Sequence, residues 1–173
     1  MRNPGPAGWG WYVDAGCWAA GGEAHSTNQR MELTAALEFL RSTRHLPAET
    51  EIVMVLDSTY TRDCLTVWVR NWLRNGWQNS KKQPVANRDL IEPAYELLRV
   101  RTGTRFEWVK GHANHPLNTE ADRACTGASA AIASGLAVPT GPGWTLGGPA
   151  PDIAPAPSVA PPRIPYVQDT LGF

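Results

Sequence analysis

Glu51-Ile52-Val53-Met54-Val55-Leu56-Asp57 decides the fold of this chain. A nearly continuous apolar run of strand length, without the alternation of a half-solvated strand, marks a strand covered on both faces, as in sheets flanked by helices. Asp57 stands at its carboxyl end. Ligands in open α/β sheets bind beyond the carboxyl ends of strands, so this acid is a stronger candidate for chemistry than an ordinary loop acid. Its structural alternative is to cap the helix that begins near Thr61.

Upstream of that run, Gly8 to Ala15 and Cys17 to Ala24 read as two short strands joined by a turn, because Trp9, Trp11, Tyr12, Val13 and Trp18 favour a pleated surface. The period then changes. Met31, Leu33, Ala36, Leu37 and Leu40 fall at helical spacing and predict an amphipathic helix from about Arg30 to Ser42, with Glu32 in its first turn. Downstream, Asn71 to Ala86 contains Gly76 and Pro84 and reads as an irregular basic excursion. Asn87 to Arg99 predicts a helix strained by Pro93, Thr104 to Val109 a strand, and Asn118 the cap of a last helix running to Ile132. The expected class is α/β, with an antiparallel hairpin at the front.

The chain has 173 residues, room for one ordinary domain, and a formal net charge of zero. Net charge therefore gives no argument for a nucleic-acid partner, but its distribution does. Basic side chains outnumber acidic ones between Arg62 and Lys110, where Arg70, Arg74, Lys81, Lys82 and Arg88 interleave with Trp68, Trp72 and Trp77. A solvated helix face is the plainer explanation of the same charges. Cys17, Cys64 and Cys125 form no metal-ligand spacing, and an odd count without a secretory segment fits free thiols in a reducing cytoplasm. No apolar run is long enough to span a bilayer. From Pro139 onward prolines crowd among Gly, Ala and Ser, so the domain is expected to occupy 1–133 and a disordered tail 134–173.

Three acids, Glu32, Asp57 and Asp122, could converge on divalent metal. Close carboxylates repel one another unless cations lie between them, and oxygen donors suit Mg²⁺ or Mn²⁺ with water and substrate phosphate completing the shell. Val109-Lys110-Gly111-His112-Ala113-Asn114-His115-Pro116 adds a histidine on a glycine-bearing loop, titrating near neutrality and suited to moving protons. His115, before Pro116, reads as a loop stabiliser. Together these residues point to metal-assisted hydrolysis of a phosphodiester.

Asn3-Pro-Gly-Pro-Ala-Gly-Trp-Gly10, Thr27-Asn-Gln-Arg-Met-Glu32-Leu, Leu56-Asp57-Ser58 and Trp108-Val-Lys-Gly-His112-Ala-Asn-His-Pro, followed by Asn118 and Asp122, resemble the ordered motifs of type 1 ribonuclease H. The resemblance covers Asn3 to Ala133, and Trp68 to Trp77 with Lys81-Lys82-Gln-Pro84 is similar to the basic handle of bacterial members. It implies a ribonuclease H-like mixed five-stranded sheet with flanking helices, and cleavage of the RNA strand of an RNA/DNA hybrid with two Mg²⁺ ions, leaving a 5′-phosphate and a 3′-hydroxyl. It further implies Glu32, Asp57 and Asp122 as metal ligands and His112 as the mobile catalytic histidine. Asn3, Asn28 and Gln29 take the place of residues that recognise ribose 2′-hydroxyls, while Trp68, Trp72, Lys81 and Lys82 fall on the DNA-strand side. A monomer is expected, without membrane association.

The family pattern opens on a central strand ending in Asp-Gly, whose aspartate is a further metal ligand; here Met1-Arg2 directly precede Asn3. The domain is thus expected to be N-terminally incomplete, with unpaired backbone groups on the two strands that would flank the first. Ile164 to Asp169 is a poor substitute, because Pro165 removes a ladder donor. The expectation is a native polypeptide that begins upstream of Met1. The alternatives are a catalytically inactive hybrid-binding relative and a DNA-directed nuclease of the same broad fold.

Overall fold

The computed structural model describes residues 4–110 and 115–146. Strands β1 (Gly5–Asp14) and β2 (Cys17–Ser26) form an antiparallel hairpin, with Asp14 opposite Cys17 and Trp9 opposite Gly21. The Asp14 carboxylate accepts the Gly16 N–H at 2.8 Å and fixes the turn. Both strands extend further than the expected Gly8 to Ala24, because the ladder also closes at Gly5 and Ser26.

Helix α1 (Asn28–Ser42) buries Met31, Leu33, Ala36, Leu37 and Leu40, the stripe expected from their spacing. Thr27 caps it, its hydroxyl accepting the Arg30 N–H at 3.2 Å. The helix therefore begins before Arg30, and Glu32 sits in the second turn rather than the first. The decisive apolar run is strand β3 (Ile52–Leu56), which pairs in parallel with β4 (Thr104–Trp108). Between them lie α2 (Thr59–Asp63), a π-helical turn over Cys64–Trp68, α3 (Val69–Asn75) and α4 (Arg88–Arg99). Helix α4 runs through Pro93, held by buried Leu90, Ile91, Ala94 and Leu98.

Three local expectations are corrected. Asn71 to Asn75 is helical, and the chain stops only at Gly76, whose φ of 73° and N–H to the Trp72 carbonyl end α3. Beyond it, Gln78 bridges Pro84 and the Asn79 side chain accepts the Lys81 and Gln83 amides, so the basic loop is an ordered turn. Helix α5 (Pro116–Ala133) is entered from His115 with Pro116 at its first position, which leaves Asn118 inside the helix and not its cap. Finally, the ordered chain passes the expected boundary at Ala133. Thr140 and Gly143 hydrogen-bond to Ala20 and Trp18 on β2, and Trp144 packs edge-on against Phe39 at 6.1 Å.

One cluster of buried side chains joins α1, β3, the helices 59–75 and α4, with Leu33, Leu37, Leu40, Leu65, Val69 and Ile91 at its centre. The hairpin is held differently. Gly8 lies so close to α5 that a Cβ there would stand 2.2 Å from the Cys125 carbonyl oxygen. Among the described residues the four strands stay in two separate pairs, β1 with β2 and β3 with β4. The fold is mixed α/β, and residues 10–13 of β1 and 53–56 of β3 line the same groove.

Candidate active site

Glu32, Asp57 and Asp122 arrive from three elements, the second turn of α1, the carboxyl end of β3 and the second turn of α5, and all line one cavity of about 310 Å³. Leu56 ends β3, so Asp57 is the first residue beyond its strand. Trp108, the last residue of the neighbouring strand, donates its indole N–H to the Asp57 carbonyl at 3.2 Å. The Asn118 amide donates to the Asp57 carboxylate at 3.4 Å, which ties the start of α5 to the end of β3.

Ser58 has two jobs. Its hydroxyl accepts the Thr61 N–H as the cap of α2 and donates to the Glu32 carboxylate at 2.6 Å. Burial pushes the Glu32 carboxyl upward; the Ser58 hydrogen bond opposes this and the Asp57 charge adds to it. Cys125, on the same cavity wall, carries the same signature. Its thiol is raised by burial, then by the charges of Asp122, Glu32 and Asp57. Three negative fields therefore overlap in one place.

Asn28 also lines the cavity, at the first turn of α1, while Gln29 is exposed beside it. Arg30 reaches away to form a two-pronged ion pair with Asp89, at 2.7 and 3.1 Å. Along helices 59–75 runs an aromatic ladder. Tyr60 meets Trp68 edge-on at 6.0 Å, Trp68 lies 5.9 Å from Trp72, and Trp72 stacks on Trp77 at 6.2 Å. Arg88 closes the row, 4.8 Å above Trp77. Lys81 and Lys82 are exposed on the adjoining turn. Asn3 and His112 lie outside the described residues.

Sequence reasoning singled out the acids and Trp68 and Trp72, but not Ser58, Tyr60 or Asn87. Asn87 sits at a φ of 58° and donates its amide to the Tyr60 hydroxyl at 3.4 Å. These partners lie 26 and 27 positions apart along the chain, so no local period could have marked them. The His115 backbone carbonyl accepts the Thr119 N–H and hydroxyl and so closes the first turn of α5.

The family model for RNase H matches residues 1–130. The chain belongs to the RNase H family. It is 39% identical to a Ribonuclease H of Tropheryma whipplei over 145 residues, spanning 84% of this chain and 88% of that protein. The fold is similar to that of LC9-RNase H1, described as a type 1 RNase H with the type 2 active-site motif. The TM-score is 0.64 at 25% identity, over 86% of this chain and 72% of that one. A foamy viral protease-reverse transcriptase in complex with RNA/DNA hybrid shares the fold with a TM-score of 0.58 at 18% identity, over 65% of this chain and 15% of that one. By this membership the chain is a ribonuclease H, a phosphodiester hydrolase.

RNase H enzymes generally use divalent metal ions, and the donor set fits them: oxygen donors only, with a raised Glu32 carboxyl that a cation would relieve. Among the described residues no three His, Cys, Asp or Glu side chains close a cage by themselves.

Proposed function

We propose that this chain hydrolyses the RNA strand of RNA/DNA hybrids at the cavity lined by Glu32, Asp57 and Asp122, using two Mg²⁺ ions and leaving a 5′-phosphate and a 3′-hydroxyl. The observation that carries this reading is the arrival of three acids from α1, β3 and α5 on one cavity wall. Glu32, Asp57 and Asp122 are the proposed metal ligands. Bound divalent ions supply an activated water and charge compensation at the leaving oxygen.

The chain's own residues do the rest. Ser58 holds the Glu32 carboxylate and Asn118 that of Asp57, so neither rotates freely toward solvent. Asn28 and Gln29, with Asn3, are the proposed readers of the minor groove, where the ribose 2′-hydroxyl separates RNA from DNA. Trp68, Trp72 and their stacked neighbours bear on the DNA strand, and Lys81 and Lys82 attract its phosphates with an affinity that falls as salt rises. His112 moves protons or helps product leave.

The test is a labelled hybrid incubated with the chain and Mg²⁺ beside single-stranded RNA and duplex DNA of the same sequence. Cleavage confined to the RNA of the hybrid, and reduced at least about 10³-fold by Asp57→Asn, supports the reading. Equal cleavage of duplex DNA overturns it in favour of a DNA-directed nuclease. Tight hybrid binding with no Mg²⁺-dependent cleavage would overturn it as well.

A further inference from the structure

We propose that Arg30 is a positioning residue which, through Asp89, fixes the distance between the turn carrying Asn28 and Gln29 and the aromatic ladder of helices 59–75. That distance decides which kind of double helix the protein prefers. The inference rests on the proposed reading of these two surfaces as the RNA-side and DNA-side contacts.

Three consecutive residues at the entry to α4 reach three different places. Asn87 donates its amide to the Tyr60 hydroxyl at 3.4 Å, at one end of the ladder, and the Arg88 guanidinium lies 4.8 Å from the Trp77 ring centroid, at the other. Asp89 accepts the Arg30 guanidinium in two hydrogen bonds, at 2.7 and 3.1 Å. Both ends of the ladder are thus tied to one short peptide, and that peptide is tied to α1. Arg30 directly follows Asn28 and Gln29 in the first turn of α1. Its guanidinium also lies 3.6 Å from the Glu23 carboxylate on β2 and donates to the Asn87 side-chain oxygen at 3.5 Å. One planar cation therefore joins the hairpin, α1 and α4.

A guanidinium holds its donors in a rigid fork, so it sets direction as well as distance, which an ammonium on a flexible stem does not. Its hydrogen bonds to Asp89 keep that carboxyl below the ordinary carboxylate range, so the pair stays charged at neutral pH. The pair adds little to folding, because Arg30 and Asp89 are 30% and 60% exposed. What it supplies is geometry. The minor groove is wide and shallow in A-form RNA and narrower in B-form DNA, and a hybrid lies between them. Two contact surfaces held at one separation engage both strands of only one groove width. Released, they engage each strand separately, so discrimination falls while plain phosphate attraction remains.

The test measures binding in EDTA, by fluorescence anisotropy, of labelled RNA/DNA hybrid, duplex RNA and duplex DNA of one sequence, and so needs no cleavage. The full chain is compared with Arg30→Lys, Arg30→Gln and Asp89→Asn, and melting temperatures are taken alongside. The ratio of hybrid to duplex affinity cancels the change of net charge that a substitution makes. The expected result is a hybrid preference in the parent that falls about tenfold in each variant, with Asp89→Asn adding nothing in the Arg30→Gln background. An unchanged ratio overturns the proposal, and a lowered melting temperature beside it leaves the pair a structural one. Arg30→Gln weakening and Asp89→Asn strengthening all three nucleic acids alike also overturns it, and makes Arg30 a simple phosphate contact. Arg30→Lys with the parent's ratio overturns it by showing that charge suffices without the fork. A parent without preference for the hybrid overturns the reading of the two surfaces itself, before any variant is measured.

Discussion

The hairpin β1–β2 meets α5 backbone to backbone, at Gly8 and Gly10, whereas β3 meets its neighbours through large side chains in one cluster with Leu33, Leu37 and Ile91. The first contact tolerates no added atom; the second is an ordinary hydrophobic core that repacks around modest changes. The acids are divided along the same line, Asp122 with the hairpin half and Asp57 with the β3 half, while Glu32 on α1 accepts from Ser58 and lines the cavity between them. Site geometry in this chain is therefore a matter of how two differently built halves are docked.

Gly8→Ala is the hardest blow to that arrangement. Its Cβ would stand 2.2 Å from the Cys125 carbonyl oxygen and 2.8 Å from the Ser129 nitrogen, both backbone atoms of α5. Neither can swing aside as a side chain would. The expected loss is about 3 kcal/mol or more, measured by urea unfolding. Amide exchange should accelerate across α5 and the hairpin first, and across β3 and β4 much less. Uniform acceleration would show that the two halves unfold as one unit and would erase the distinction.

A weaker cut separates the hairpin from its outer strap. Trp144 packs edge-on against Phe39 and His45, and its neighbours Gly143 and Thr145 bond to carbonyls of Trp18 and Gly16. Trp144→Ala should cost about 1–2 kcal/mol, since the ring is only half-buried. Limited proteolysis should then cut between Leu136 and Leu146 while α1 and β3 stay intact. An unchanged cleavage pattern would mean that the strap adds nothing to the hairpin.

What the sequence disclosed follows from the range of the forces involved. Helix α1 was legible because Met31 to Leu40 repeat at a helical period, and β3 because five apolar residues run without a break. The acids were legible by their places at element ends and by motif. The start of α1 was missed because Asn28 and Gln29 are polar and carry no period, so only the Thr27 cap reveals it. The ordering of 140–146 was missed because Gly and Pro composition reports backbone freedom, whereas Trp144 finds Phe39 some hundred positions away. Ser58 holding Glu32 and Asn118 holding Asp57 are likewise tertiary contacts with no local signature.

The smallest effect probes the junction of the halves through Glu32. Burial and the Asp57 charge raise its folded-state carboxyl above the ordinary range. Where both folded and unfolded chains hold the proton, at acid pH, the group costs nothing. As pH rises through that range the unfolded chain releases its proton more easily than the folded one, so stability falls and stays lower above the raised value. Glu32→Gln keeps an oxygen to accept from Ser58 and removes the charge. In EDTA at pH 7 the variant should melt above the parent by on the order of 2–4 °C, and the two should coincide below about pH 4. Mg²⁺ should raise the parent and leave the variant behind, because the same charge that strains the empty site is the one a cation compensates. A variant that melts no higher at pH 7 would show that the buried Glu32 charge does not destabilise the fold, and one that responds to Mg²⁺ as strongly as the parent would show that Glu32 is not a metal ligand.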